Sequence, residues 1–119
     1  MKYLLLIYQS ETAVGTQDDE MRKAVLAEYG AVTAEVKASG HYLAAERLQP
    51  IATATTVRVR DGKTLTTDGP FAETREQLAG LYMIDAEHLD DAIAIAARIP
   101  SVRFGSIEVR PIWPPPYCE

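Results

Sequence analysis

Residues 3–8 (Tyr-Leu-Leu-Leu-Ile-Tyr) and 81–84 (Leu-Tyr-Met-Ile) contain no charged or amide side chain at any position. A strand with one wetted face alternates apolar and polar residues, because successive side chains point to opposite faces. Unbroken apolar runs therefore belong to inner strands of a sheet covered on both sides. Residues 106–112 behave differently, with Ile107 and Val109 alternating against Glu108 and Arg110, as a half-buried strand should.

Between these strands lie two helical patterns. After residue 9 comes a polar loop containing Gly15. Thr16 is then placed to cap a helix whose first turn carries Asp18, Asp19 and Glu20. Met21, Val25, Tyr29, Val32 and Val36 follow as one stripe at helical spacing, and Ser39-Gly40 is the stop, since glycine tolerates the left-handed conformation there. A second helix carries Leu89, Ile93 and Ala96 on its expected inward face, with Pro100 beyond its end. Residues 41–48 read as a strand closed by Pro50. From Ala54 the chain alternates Val57 and Val59 with Arg58 and Arg60, turns at Asp61-Gly62 and returns through 63–67. Asp-Gly between β-formers signals a hairpin, because the tight primed turn needs positive φ.

The order is strand, helix, strand, inserted hairpin, strand, helix, strand: an α+β, ferredoxin-like β-α-β-β-α-β plan. In that plan the first and third core strands are central and the helices cover one face. The second face of the sheet then needs a cover, either the hairpin folded back or an identical sheet from a second copy. The second copy is the favoured expectation, because large apolar patches are rarely left in water and two-fold pairing is the commonest homo-oligomer. Residues 1–112 are read as one domain. Residues 113–119 form a tail in which Pro114, Pro115 and Pro116 favour an extended arm, with Trp113 and Tyr117 either packing on a partner or free.

Composition narrows the function classes. The formal net charge is -5, and the longest basic run is Arg22-Lys23, which argues against nucleic-acid binding. The single cysteine, Cys118, excludes an internal disulfide and points to a reducing compartment, so the cytoplasm is the expected location. The apolar start is too short for a secretory core or a membrane span. The two histidines and one cysteine show no metal-ligand spacing, no glycine-rich loop opens a helix, and no serine elbow is present. Neither metal, nucleotide cofactor nor nucleophilic triad is expected.

Among residues able to do chemistry, Asp68 sits before Gly69-Pro70 in a stiff turn, where the proline pushes Gly69 towards extended geometry. Its carboxylate is either an acceptor, base or orienter for a ligand, or a partner for the amides of its own turn. Glu73 could complete a carboxylate pair or meet Arg75 at the surface. Phe71 is either a plug for the turn or a pocket wall. Arg58 could clamp an anion or stand in solvent. Tyr29 lies on the apolar helix stripe and is a core residue or a hydrogen-bonding acid. His41 follows the helix stop, where a protonated ring would favour the negative end, and His88 reads as surface. Asp68, Glu73 and Tyr29 are thus the catalytic candidates, and Phe71, Arg58 and His41 the ligand-binding ones.

The segments Ala54-Thr55-Thr56-Val57-Arg58, Thr67-Asp68-Gly69-Pro70-Phe71-Ala72-Glu73-Thr74 and Val109-Arg110-Pro111, with the opening apolar run, resemble the DGPF branch of the YCII-related proteins over nearly the whole chain. The resemblance implies a ferredoxin-like fold paired as a dimeric α/β barrel. It also implies small-molecule enzymes built on a His–Asp pair, but the matching positions here, aligned without gaps, are Tyr29 and Ile99, which cannot supply it. Proteins of this branch resemble those encoded beside alternative sigma factors. Two functions stay open: a small-molecule-binding protein or cofactor-independent enzyme using the acidic turn, and a non-catalytic regulatory protein docking on such a sigma factor through the hairpin and tail.

Overall fold

The computed structural model describes residues 1–116; the expectations for Tyr117 and Cys118 lie outside the described residues. Strands β1 (Lys2–Gln9), β2 (Tyr42–Arg47), β5 (Gln77–Asp85) and β6 (Ser106–Pro111) form one antiparallel sheet in the order β2-β5-β1-β6. The two strands with unbroken apolar runs, β1 and β5, occupy its centre. That is the ferredoxin-like arrangement. Strands β3 (Thr55–Arg60) and β4 (Lys63–Asp68) form a separate hairpin inserted between β2 and β5, turning at Asp61 (φ 52°) and Gly62 (φ 73°).

One face of the sheet is packed by two helices, α2 (Asp19–Ala38) and α3 (Leu89–Ala96). Tyr3, Leu5, Ile7, Tyr82 and Ile84 point into this layer and meet Val36, Ala92, Ile95 and Ile99. Leu5 and Ile84 are wholly inaccessible, and each such side chain stabilises the fold by about 1.5–3 kcal/mol relative to exposure. The alternate residues Leu4, Leu6, Tyr8, Leu81 and Met83 line the opposite face and are only half-buried. The hairpin does not cover them: every residue of β3 and β4 except Thr56 is exposed.

Local chemistry explains the helix limits and two departures from expectation. The segment after β1 is not a loop but a short helix, α1 (Glu11–Gly15), with the Ser10 hydroxyl accepting from the Ala13 amide (3.2 Å). Thr16 closes α1, donating to the Ala13 carbonyl (2.7 Å), so Asp18 caps α2 instead and accepts from the Met21 amide at 2.8 Å. Either side chain suits an N-cap, and the intervening α1 leaves only Asp18 free for it. At the other end Gly40 has φ +80°. The amides of Gly40 and His41 reach back to the Lys37 and Val36 carbonyls (3.1 and 3.2 Å), the paired bonds of a glycine-terminated helix.

The second departure is the face that α3 buries. Ala92, Ile95 and Ala96 point inward, whereas Leu89 and Ile93 stay 48% exposed. Residues 92–97 are all apolar, so two stripes compete. The stripe with small alanines wins because it lets the helix lie closer to the sheet. Beyond α3 a 3-10 turn, Pro100–Arg103, leads to Gly105, where a Cβ would lie 2.2 Å from the Tyr8 carbonyl oxygen. Only glycine lets β6 start this near β1. No helix among the described residues is long and apolar enough to cross a membrane.

Candidate functional site

α2 does not lie flat on the sheet. Val36 near its C-terminal end is its one buried residue, while Met21 and Leu26 in its first half are largely exposed. The first half therefore stands off the sheet and roofs a cleft of about 530 Å³. Val14 of α1, Val25 and Leu26 of α2, and Phe104 give it apolar walls, and Ile7, Gly80 and Tyr82 contribute to its floor. Gly80 is paired with Ile7 on one side and Arg47 on the other. Its missing side chain leaves the floor open between them, and a Cβ there would also press on the Glu46 carbonyl oxygen at 2.8 Å.

At the deep end three polar side chains form a chain. Ser101 is fully buried and donates to Gln9 Oε1 at 2.9 Å, while its Oγ shares a short hydrogen bond with the Tyr29 hydroxyl. A serine has one hydrogen to give. Because Gln9 takes it, Tyr29 must be the donor to Ser101, and the proton order is Tyr29 to Ser101 to Gln9. Burial raises the pKa of Tyr29, outweighing the positive charge of Arg47, which acts to lower it. The phenol is thus neutral at physiological pH. Its proton is committed to Ser101, and its oxygen lone pairs remain for the cleft.

A second pair, Thr33 with the Tyr82 hydroxyl (2.6 Å), lies further along the same helix and sheet. Arg22 donates to the Gly15 carbonyl (3.0 Å), joining α2 to the end of α1. The guanidinium of Arg47, also at the cleft, has no hydrogen bond or ion pair among the described residues. No buried side-chain nitrogen or oxygen among the described residues lacks a partner.

Chemically, such a cleft suits an organic ligand, since ligand pockets of a few hundred Å³ are mostly apolar with few placed polar groups. The polar chain ends on an amide oxygen, which is no proton sink. It orients Tyr29 as a neutral hydrogen-bonding group rather than turning it into a strong base.

Of the candidates drawn from sequence, Tyr29 alone lines the cleft. Asp68 and Glu73 are exposed, as are Arg58 and Phe71, the latter at 79%. The Gly69 amide goes across the hairpin to the Ala54 carbonyl (2.7 Å), and the Gly69 carbonyl accepts from Thr56 Oγ1 (2.9 Å). The Asp68 carboxylate has no partner among the described residues, and neither has Glu73, so no pair with Arg75 forms. Gly69 adopts φ +99° rather than extended geometry, a conformation open to glycine that swings the chain out of the hairpin. His41 sits at the far end of α2, its Nδ1 2.7 Å from Ser39 Oγ.

Glu87, His88 and Asp91 offer ligand atoms within 4.8 Å of one another at the start of α3. They are surface groups away from the cleft lining, and exposed clusters of this type occur without an ion. Gln9, Ser101 and Arg47 escaped the sequence reading. Gln9 marked only the end of an apolar run, and Ser101 follows a proline read only as a helix stop. The roles of Gln9 and Ser101 arise from contacts 72 and 92 positions apart.

A sequence model of the YCII-related domain matches residues 1–115. A protein of Rhizobium meliloti (strain 1021), described as uncharacterised, is 37% identical over 114 residues, covering 94% of this chain and 92% of that protein.

Proposed function

This chain belongs to the YCII-related family, and from that premise we propose that it binds a small organic molecule in the cleft beneath α2, as a binding protein or cofactor-independent enzyme. The observation that carries this reading is the hydrogen-bonded chain Tyr29–Ser101–Gln9 set into an otherwise largely apolar cleft. Buried polar groups cost free energy unless paired, so a polar chain beside an apolar cavity is an expensive feature for packing alone. In the enzymatic version the neutral Tyr29 oxygen, its proton held by Ser101, accepts a hydrogen bond from a polar group of the substrate and so orients it. Asp68 and Glu73 stand outside the cleft of their own chain, so a contribution from the acidic turn would have to come from a second copy.

A homodimer paired through the sheet is part of this proposal. What supports it is the half-buried apolar face carrying Leu4, Leu6, Tyr8, Leu81 and Met83, a patch that a second copy would shield. Sedimentation equilibrium tests it, and a stable single subunit at micromolar concentration would remove it. The ligand reading is tested by a thermal-shift screen of metabolites against wild type and Tyr29→Phe. Stabilising compounds should lose most of their effect in the variant; compounds acting equally on both would place the ligand elsewhere.

A second reading is favoured by the exposed hairpin, whose Val57 (60% exposed), Val59 and Leu65, followed by Phe71, present apolar side chains without cover. In that reading the chain is a non-catalytic partner-binding protein, with an alternative sigma factor as the expected partner. Pull-down with wild type and a Val57→Ser/Val59→Ser variant tests it, and no complex at micromolar concentration rejects it.

A further inference from the structure

We propose that the ligand of the cleft is a carboxylate with an apolar body, its charged end held by Arg47 and its body lying along Val14, Val25, Leu26 and Phe104. The inference rests on the cleft being the ligand site. The charge there runs against that of the molecule. The chain carries a net charge of -5, yet the cleft is lined by Arg22 and Arg47 with one acidic residue, Glu46. Glu46 is paired with Leu81, on the sheet face opposite the helices, whereas Arg47 is paired with Gly80 on the helix side. Strand alternation therefore separates the carboxylate of Glu46 from the guanidinium of Arg47.

The remaining arginine of the cleft, Arg22, is already tied to the Gly15 carbonyl. Three arginines elsewhere in the fold find glutamates: Arg98 with Glu35 (3.2 Å), Arg103 with Glu28 (2.7 Å), and Arg110 with Glu108. Arg58, Arg60 and Arg75 also lack a carboxylate partner among the described residues, but they stand outside the cleft. Arg47 has no such partner among the described residues, and it stands near enough to Tyr29 for its charge to be felt there. A guanidinium is weakly hydrated and presents a planar fork that matches a carboxylate with two parallel hydrogen bonds. One unpaired guanidinium balances one negative charge. A phosphate would call for further donors, and among the described residues no glycine-rich loop lines the cleft to provide them. The walls beyond Arg47 are apolar, so the rest of the ligand is apolar too.

The test uses the full chain and two probes of nearly equal shape, 3-phenylpropanoate and its primary amide, 3-phenylpropanamide, titrated by heteronuclear NMR. The carboxylate is expected to bind at least tenfold more tightly than the amide, with shifts at Val25, Leu26 and Phe104. In Arg47→Met the preference should fall to within twofold. Arg47 is exposed, so the variant should keep the wild-type spectrum outside the cleft. Arg22→Met, as a second variant, should retain most of the preference. Equal binding of the two probes in the cleft leaves the cleft as a ligand site and overturns the carboxylate claim. A preference that survives Arg47→Met, or is lost only in Arg22→Met, overturns the role of Arg47. Shifts from neither probe at cleft residues remove the site and this inference together.

Discussion

The Tyr29–Ser101–Gln9 chain makes a quantitative prediction because its middle member is the fully buried one. Ser101→Ala removes both hydrogen bonds at once, to Tyr29 and to Gln9. A protein hydrogen bond contributes about 1 kcal/mol net, with a larger cost where a buried partner is left unsatisfied. Tyr29 and Gln9 both border the cleft, where water can reach them, so the larger penalty is relieved. The expected loss is about 2 kcal/mol. Tyr29→Phe breaks one bond and leaves Ser101 donating to Gln9, for a loss of about 1 kcal/mol. The double variant loses the same two bonds as Ser101→Ala alone, so it should cost about 2 kcal/mol, not the additive 3, a coupling of about 1 kcal/mol. Urea unfolding of the four proteins measures this, provided the slopes with denaturant agree. Additivity within about 0.3 kcal/mol would refute the coupling, and Ser101→Ala costing less than Tyr29→Phe would refute the order of the chain.

Other consequences are as direct. The raised pKa of Tyr29 means the folded protein holds that proton to higher pH than the unfolded chain. The stability it contributes is complete below the ordinary tyrosine value of about 10 and declines as pH climbs from there through the folded value. Comparing unfolding of wild type and Tyr29→Phe from pH 8 to 11 should show this decline in wild type and a smaller one in the variant. Gly105→Ala, which would set a Cβ 2.2 Å from a backbone oxygen, should destabilise by about 1–3 kcal/mol or more and weaken amide protection at the start of β6, read by hydrogen exchange. Val57→Thr and Val59→Thr, both on an exposed strand, should change the urea midpoint by less than about 0.5 kcal/mol in equivalent stability.

Much of the architecture was legible because its causes are local or periodic. Two unbroken apolar runs could only be inner strands, and β1 and β5 are the inner strands. Asp61-Gly62 and Ser39-Gly40 announced a hairpin and a helix stop because few residues accept positive φ, and Asp61, Gly62 and Gly40 all adopt it. Tyr29 stood on its stripe at helical spacing. Where two local solutions competed, the local signal pointed to the wrong one: Thr16 rather than Asp18 as cap, and Leu89 and Ile93 rather than Ala92 and Ile95 as the inward face of the second helix. The short helix α1, which uses Thr16 at its end, decided the first, and packing against the sheet decided the second.

The candidate site belongs to the second kind. Asp68 drew the eye because a carboxylate before Gly-Pro is a local signal, yet it lies outside the cleft. Nothing local marks Gln9, Ser101 or Arg47. They matter because a helix standing off its sheet opens a cavity above Gly80, and because β1, α2 and the turn after α3 meet at its deep end. Periodicity tells a side chain which face of its own element it occupies. Which distant side chains share that space, and whether they fill it, depends on how the elements dock, and docking is settled by volume and shape across the whole core.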